Sequence, residues 1–389
     1  MILEKYASLY RQNLTESVLP FWLNHTLDRK YGGYFSGVDR RGEVYDPRKY
    51  IWMQGRALWT FSTLYTSFEP REEFREAAEV IFRFVSQHAR AGEPRCWFST
   101  TRDGRPVFFQ RKPYSAVFVA LGLIAYSKIS KDSAHLAEAI ELFWQIDIWI
   151  HRPTLLGRPA LEGGIPYSQL ADIMVQALLA LELMEVHEDP RYEQILQRCI
   201  SRVMAHYEPK HQLLLENTSQ DPNFLELPEG RLVCPGSILE VAWFLLRVLE
   251  KTPDPTVEQL LLQSISGALE FGWDRQYGGL YYFMDIKGRP APALESNMKL
   301  WWPHTEAINA LVFAYTKTRD AVYLEWLQRV HDYTWRTFID HEFGEWFGYC
   351  DRRGEVVTEI KGGAYKCAFH VPRCLLYSVQ AIESWSGIR

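Results

Sequence analysis

The chain has 389 residues, of which 47% are hydrophobic and 23% charged, a balance typical of a folded globular protein and not of a disordered one. Its formal net charge of -5 argues against a nucleic-acid groove or an anionic membrane surface as the main partner. Aromatic residues are frequent at 14%, and because their rings fill cores as well as stack on sugars, they are a weak indication of a carbohydrate ligand.

The six cysteines are scattered along the chain and form no Cys-x-x-Cys pair. This pattern fits reduced thiols in a cytosol better than a disulfide framework or a structural zinc site. The first residues, Met1 to Tyr6, contain no apolar signal core, and no apolar run approaches the length of a membrane-spanning helix. We therefore expect a cytoplasmic protein that does not insert into a membrane.

Most of the chain has the apolar periodicity of helices. The predicted helices, in chain order, lie near 2–23, 51–67, 71–90, 113–130, 133–150, 168–186, 190–207, 236–251, 255–272, 301–317, 320–338 and 366–384. No Pro-, Gly- or Ser-rich linker and no break in composition divides them. We therefore expect residues 1–389 to form one domain.

A second pattern recurs between the helices. Tyr31, Tyr277 and Phe343 each open an aromatic and glycine-rich run, with an Asp eight residues and a Gly eleven residues further on. Asp and Gly at this spacing favour a tight turn after a short strand. Counting looser copies, about six such hairpins or loops alternate with the helices, and repeats of this length are typical of stacked or closed arrays of one unit.

Twelve helices in six pairs predict an all-α fold in which the pairs close into an (α/α)6 barrel, with short β-hairpins in the connecting loops. One helix of each pair then lies inside the ring. An open solenoid of the same pairs is the competing arrangement.

Unusual polar and aromatic residues gather at the starts of alternate helices. In a barrel these starts share one face, so we predict a common pocket there. The residues predicted to contact a ligand in it are Trp52, Gln54, Arg56, Tyr114, Trp301, Trp302 and His304, with Ser237, Glu240, Glu306 and His370 beside them. Taken singly, each has a plainer interpretation: a surface charge for Arg56, core packing for the tryptophans and His370, and a helix cap for either glutamate.

Several segments carrying these residues resemble the N-acylglucosamine 2-epimerase family. They are the segments 49–56, 101–107, 215–217, 234–240 and 299–304, followed near the end by 345–349, 361–363 and 369–373. The resemblance covers nearly the whole chain. It implies an (α/α)6 barrel, usually dimeric, that interconverts N-acyl-D-glucosamine and N-acyl-D-mannosamine, while related members act on unmodified sugars.

The resemblance also implies roles for individual residues. Arg56, Arg231, Glu240, Trp302, Glu306 and His370 are expected in the substrate pocket, with His370 as a catalytic acid/base. Such groups suit the chemistry, because inverting a carbon next to a carbonyl needs a base of near-neutral pKa and a cation or donor for the developing oxyanion. No redox cofactor or metal is required, and the histidines and carboxylates show no regular metal-ligand spacing.

One position departs from the family pattern. The family has a second histidine after Pro-Gly, where this chain has Ser237, and a hydroxyl cannot carry a proton in place of imidazole without an activating base. Three interpretations remain open: an inactivated variant, proton delivery by another group such as His304 or a water bound to Ser237, and an aldose–ketose isomerase working with a single base. His304 could equally serve only to begin its helix.

Three further possibilities bear on function. Some epimerases of this family respond to ATP; this chain has no G-x-x-x-x-G-K-[ST] loop, but the basic segment 152–158 could meet a phosphate or be an ordinary connection. (α/α)6 barrels also host glycosidases, for which Glu240 and Glu306 could be the acid and base pair. A non-enzymatic sugar- or protein-binding role is the third possibility.

Overall fold

The structure is a computed structural model that describes residues 2–92, 94–159 and 161–387. Helices dominate it. They are α1 (Ile2–Gln12), which continues through a π-helical segment (Asn13–Val18) into α2 (Leu19–His25), then α3 (Ile51–Ser67), α4 (Glu72–His88), α5 (Tyr114–Ser130), α6 (Ser133–His151), α7 (Leu170–Met184), α8 (Pro190–Met204), α9 (Pro235–Lys251), α10 (Pro255–Gly272), α11 (Trp301–Thr318), α12 (Ala321–Phe338) and α13 (His370–Ser386).

Local sequence signals fix many of these boundaries. The side chains of Asp189 and Asp254 accept hydrogen bonds from the first backbone N–H groups of α8 and α10, and each helix has a proline in its first turn. The predicted helix at 366–384 begins later, at His370, because the Lys366 carbonyl accepts a hydrogen bond from Gly363 in a loop.

Alternate helices form an inner ring. Helix α3 packs on α5, α5 on α7, α7 on α9, α9 on α11, and α11 on α13. The ring closes where the Trp59 ring of α3 lies 6.0 Å from the Tyr377 ring of α13. The outer helices pack on their inner neighbours, with α1 on α13. The prediction of an (α/α)6 barrel is confirmed, and the open solenoid is wrong.

Burial follows this arrangement. Every residue from Ser115 to Tyr126 in the inner helix α5 is buried, as expected for a helix enclosed on all sides. The outer helix α8 buries one stripe only, which includes Tyr192, Leu196 and Cys199. No helix within the described ranges is both long and apolar enough to cross a membrane.

The strands are short, antiparallel, and lie in the connections. They are β1 (Gly37–Val38), β2 (Val44–Asp46), β3 (Lys49–Tyr50), β4 (Ser99–Thr100), β5 (Pro106–Phe108), β6 (Ser168–Gln169), β7 (Tyr207–Glu208), β8 (Leu213–Leu214), β9 (Asn217–Thr218), β10 (Leu232–Val233), β11 (Met284–Asp285), β12 (Lys299–Leu300), β13 (Tyr349–Cys350) and β14 (Val356–Thr358). Hairpins form at β1–β2 and β13–β14, but the repeat at 277–288 forms none, because β11 pairs with the distant β10.

Three of the repeats are held by an ion cluster of the same kind, in which a buried aspartate accepts from a buried lysine and from a partly exposed arginine. The lysine Nζ lies 2.9, 3.3 and 2.9 Å from the nearer aspartate oxygen, in the clusters Asp28–Lys49–Arg102, Asp274–Lys299–Arg352 and Asp340–Lys361–Arg40. Because Lys49 and Lys299 stand just before α3 and α11, these clusters fix the end of the barrel where the inner helices begin.

Candidate active site

A cavity of about 540 Å³ opens at the end of the barrel where the inner helices begin. Its size falls in the usual range for small-molecule sites. Six predicted residues line it: Trp52, Arg56, Glu240, Trp301, Trp302 and His370. Tyr282, Glu295, Met298, Leu300, Tyr349 and Tyr365 complete the lining and were not predicted.

Helical spacing explains which residues reach this cavity. Residues three or four apart share a helix face, whereas residues two apart point to opposite sides. Trp52 and Arg56 on α3 are four apart and both line the cavity. His370 and Arg373 at the start of α13 are three apart, and Arg373 contacts the same glutamates as the cavity residues. The sequence analysis missed Arg373, which this spacing would have found.

His370 is held by a buried carboxylate. Its Nδ1 lies 2.8 Å from Glu306 Oε1, so Nδ1–H donates to the carboxylate and Nε2 remains available on the cavity side. Burial lowers the pKa of His370 well below its usual value of 6.5, and the nearby Arg373 adds to this effect. The imidazole is therefore neutral at physiological pH and can accept a proton.

Glu306 itself is fixed on all sides. Its Oε2 accepts from Trp243 Nε1 at 2.8 Å, and its Oε1 accepts from Arg373 Nη2 at 2.8 Å as well as from His370. The side chain has no exposed surface and does not line the cavity. We infer that Glu306 orients His370 and does not touch a ligand.

Arg373 joins the two glutamates of the site. Its Nη2 donates to Glu240 as well as to Glu306. Burial lowers the pKa of Arg373, but the two carboxylates raise it by more, so the guanidinium stays charged. Charges of both signs therefore surround the neutral His370, from Arg373, Glu240, Arg56 and Lys366.

Arg56 is the cation that faces the cavity without a carboxylate partner within ion-pair distance among the described residues. Its guanidinium lies 4.7 Å from the Trp52 ring centroid, 4.1 Å from that of Phe118 and 4.9 Å from that of Phe369. Burial lowers its pKa to about 10, so it remains protonated at neutral pH. Its Nε is buried without a hydrogen-bond partner, so the guanidinium meets the cavity through its terminal nitrogens.

Gln54 and His304 lie on the opposite faces of their helices and do not contact the cavity. Gln54 exchanges two hydrogen bonds with the backbone of Tyr34, at 2.6 and 2.8 Å. His304 Nδ1–H donates to the Leu300 carbonyl at 2.7 Å, and its Nε2 accepts from the Leu280 N–H at 3.0 Å. Burial lowers the pKa of His304 to about 3. The predictions that these two side chains bind substrate, and that His304 supplies a proton, are wrong.

Arg231 and Tyr114 are also engaged elsewhere. Arg231 Nε donates to Asp285 at 2.7 Å, and Nη1 donates to the Glu226 carbonyl, so the guanidinium pins β10 to β11. The Tyr114 hydroxyl donates to Asp172 on α7 at 2.8 Å. Neither side chain lines the cavity, which corrects the prediction that they bind substrate through it.

Ser237 stands one turn before Glu240, on the same face of α9. It is partly buried and does not itself line the cavity. Burial raises the pKa of the nearby Glu216 to about 7, and the Ser237 hydroxyl lowers it.

Among the described residues, Glu240, Glu306 and His370 form the one group with metal-ligand chemistry, their ligand atoms lying within 4.8 Å of one another. Arg373 already bonds both carboxylates, and His370 points its Nδ1–H at Glu306. A divalent cation would have to displace a buried guanidinium, so these residues do not fit a metal.

The fold is shared with proteins of known structure. The solved cellobiose 2-epimerase from Bacillus thermoamylovorans superposes with a TM-score of 0.84 at 20% identity, covering 97% of this chain and 99% of that one. At this identity the likeness shows a shared fold. A family 76 glycoside hydrolase from a bovine Bacteroides thetaiotaomicron strain superposes with a TM-score of 0.61 at 14% identity, covering 98% of this chain and 78% of that one.

Sequence comparison is more specific. A family model described as N-acylglucosamine 2-epimerase matches residues 33–374. The N-acylglucosamine 2-epimerase of Mus musculus is 39% identical over 376 residues, which cover 94% of this chain and 90% of the mouse protein. The Homo sapiens enzyme is 38% identical over 92% of this chain and 86% of its own length. The chain is thus an isomerase of the carbohydrate 2-epimerase class. It belongs to the N-acylglucosamine 2-epimerase family.

Proposed function

We propose that the protein interconverts an N-acyl-D-glucosamine and the corresponding N-acyl-D-mannosamine by removing and returning the proton at C2. The observation that carries this proposal is the neutral imidazole of His370, fixed by Glu306 and facing a cavity that also contains the unpaired guanidinium of Arg56. The family and its named mammalian members supply the substrate class.

The first half of the reaction follows from these groups. The open-chain aldehyde makes C2–H acidic enough for His370 Nε2 to remove the proton as a general base. The resulting imidazolium is stabilised by Glu306 at Nδ1–H. Arg56 donates to the oxygen on which the negative charge develops, in a pocket where such a donor acts strongly. The reaction is redox-neutral, so no redox cofactor takes part.

Aromatic rings are proposed to hold the sugar. Trp301, Trp302, Tyr282, Tyr349 and Tyr365 surround the cavity, and their faces suit the apolar faces of a sugar. The Trp302 ring lies 5.9 Å from the His370 ring, which makes it the natural platform beside the reacting carbon.

Because Ser237 stands where the family has its second histidine, two neighbouring activities are alternatives to this proposal. With one base on one face, an enzyme can move a proton between C1 and C2 and so convert an aldose into a ketose. An epimerase of an unmodified sugar, of the mannose or glucose type, uses the same first step. A non-catalytic sugar-binding relative is the remaining alternative.

A glycosidase is disfavoured by the placement of its carboxylates. Glu306 does not reach the cavity, and Glu240 is paired with Arg373. A glycosidase needs an acid and a base that flank the scissile bond.

The test is proton NMR of the protein with N-acetylglucosamine, N-acetylmannosamine, glucose and mannose in D2O. Deuterium at C2 together with the opposite epimer supports the proposal, and a ketose product identifies the isomerase instead. His370→Asn should abolish conversion. Binding of sugars with no exchange in any of them would favour the non-catalytic role.

We further propose that residues 1–389 act as one catalytic domain of a homodimer in amino-sugar metabolism, with the cytosol as its compartment. Six buried cysteines, all free, support a reducing compartment. The Arg40–Asp340 bond between early and late residues supports one domain. Sedimentation measures the oligomeric state.

We propose that ATP activates the enzyme by binding near the basic segment 152–158. Arg158 in that segment donates to the Arg111 carbonyl, so its guanidinium is partly engaged. Initial rates with and without ATP test this role directly.

A further inference from the structure

One carboxylate that lines the cavity differs from its neighbours in the contacts that it makes. Glu240 and Glu306 both accept hydrogen bonds from Arg373. Glu295 also lines the cavity, but among the described residues no hydrogen bond or ion pair engages its side chain. It is exposed, whereas the other two glutamates are buried. Its oxygens are therefore available to accept hydrogen bonds from a ligand.

The backbone around Glu295 is fixed. Glu295 lies in the connection between β11 and β12, and its carbonyl accepts from the Met298 N–H at 2.9 Å. The carbonyl of the next residue, Ser296, accepts from the N–H groups of Tyr282 and Phe283 at 3.1 and 3.0 Å. Tyr282 and Met298 line the cavity as well. These bonds therefore hold Glu295 at the edge of the cavity.

Burial distinguishes an inner end of the cavity from its mouth. His370 and Glu240 are only 8% and 7% exposed, whereas Tyr365 is 60% exposed and Glu295 is exposed too. In the proposed reaction C2 of the sugar must reach His370 at the inner end. The rest of the carbon chain then extends toward the mouth, and its last atom, C6, comes nearest to Glu295.

We propose that Glu295 selects sugars by the group at C6: its carboxylate accepts a hydrogen bond from a hydroxyl group there and repels an anionic group such as a phosphate ester. This inference rests on the proposed function, which places C2 at His370. Glu295 contacts no reacting atom in this arrangement, so it is a specificity-determining residue and not a catalytic one. The substrate class is then an N-acylhexosamine that is uncharged at C6.

The positive charges near Glu295 do not offset this repulsion. Lys287 and Arg289 lie on the same connection, but their side-chain nitrogens are 2.6 and 4.0 Å from Glu226, and neither residue lines the cavity. Arg56 lines it, but the proposed reaction assigns Arg56 to the oxyanion beside C2. A phosphate on C6 would therefore face a carboxylate without a cation to pair with, and like charges at close range oppose binding.

Glu295→Ala tests the hydrogen bond. The variant should keep the fold of the connection, because backbone groups make the bonds that hold it. We expect kcat/KM for N-acetylglucosamine to fall by roughly 10-fold, the lower end for a hydrogen bond to a charged group. The loss should appear in KM and not in kcat, because the contact is the same in the ground state and the transition state. With 6-deoxy-N-acetylglucosamine, wild type and variant should have equal kcat/KM, because the hydroxyl partner is already absent.

Glu295→Gln tests the charge, because the amide keeps the shape of the side chain. The ratio of kcat/KM for N-acetylglucosamine 6-phosphate to kcat/KM for N-acetylglucosamine should rise by roughly 10-fold over the wild-type ratio at low salt. The difference should shrink at high salt, since exposed charges are screened. Damage to the structure would lower both rates and leave the ratio unchanged. Glu229→Gln removes an exposed carboxylate outside the cavity and should keep the wild-type ratio.

The outcomes separate this role from the proposed function. Full activity of Glu295→Ala, or an equal loss with the 6-deoxy sugar, overturns the hydrogen bond, and an unchanged phosphate ratio in Glu295→Gln overturns the repulsion. Wild-type protein that exchanges no C2 proton in any aldose contradicts the proposed function. Isothermal titration calorimetry then tests Glu295 alone: the Kd for N-acetylglucosamine should still rise by roughly 10-fold in Glu295→Ala. Equal Kd values, or no binding by wild type, overturn the role of Glu295 as well.

Discussion

Replacing Glu306 by glutamine tests the arrangement around His370. Four donors converge on this carboxylate, from Trp243, His370 and Arg373 at 2.8 Å each and from Thr305 Oγ1 at 3.3 Å. An amide offers a single acceptor oxygen and turns an NH2 group toward the others, so at least one buried donor loses its partner. A hydrogen bond to a charged group contributes about 1.5–3 kcal/mol. Lost from the imidazolium, this corresponds to a fall in kcat/KM of roughly 10- to 150-fold.

The assay is deuterium exchange at C2 followed by NMR, with conversion measured in the same sample. Glu325→Gln, an exposed change on the outer helix α12, is the matched control and should leave both rates unchanged. Far-ultraviolet circular dichroism checks that the variants are folded. Exchange within twofold of the wild-type rate in Glu306→Gln would show that the carboxylate does not support the base.

Three more predictions concern residues around and away from the cavity. Arg56→Lys should lower kcat/KM by roughly 10²-fold, because an ammonium lacks the planar guanidinium that stacks on the rings and reaches the oxyanion. Steady-state kinetics measure this change, and an unchanged kcat/KM would argue against Arg56 as the donor to the oxyanion. His304→Phe should preserve turnover but lower the free energy of unfolding in urea, since each buried backbone group left unpaired costs about 1–3 kcal/mol. A variant that is stable but inactive would show that His304 takes part in catalysis. Asp340→Asn should destabilise the fold by about 3–5 kcal/mol at pH 7, since it leaves Lys361 and Arg40 without their buried partner. Burial raises the pKa of Asp340, but Arg40 and Lys361 lower it by more, so that it lies below its usual 3.8. The stabilisation from the ionised carboxylate is therefore present above pH 3.8 and is lost as the pH falls further. The stabilities of wild type and variant should converge in acid unfolding. Equal stability of the two at pH 7 would refute this ion cluster.

The helices could be predicted from the sequence because each has a long apolar period and many have clear end signals. The helices predicted near 51–67 and 255–272 have those same bounds in the structure. The pairing of strands was harder, because a two-residue strand carries little periodicity. Nothing local indicates that β11 pairs with β10 across a helix pair.

The site was predicted in part, for a geometric reason. Knowing that a residue stands at the start of an inner helix gives its height in the barrel but not the direction of its side chain. Trp52 and Arg56 point into the cavity, whereas Gln54, between them, points away. Glu216 belongs to the segment 215–217 that carries part of the resemblance, but it lies outside any helix, so no helical spacing indicated where its side chain lies.

The three buried ion clusters have a consequence for how this end of the barrel can change. In each cluster the arginine stands in the turn of a hairpin, between β1 and β2, β4 and β5, or β13 and β14. The second strands of the same hairpins carry side chains that are more than half exposed, namely Tyr45, Phe108 and Val357. The residues that anchor the hairpins are therefore different from those whose side chains face solvent. Substitutions at these exposed strand positions should therefore be tolerated without loosening the helices beneath, whereas grafting a new turn in place of the arginine would break the ion cluster.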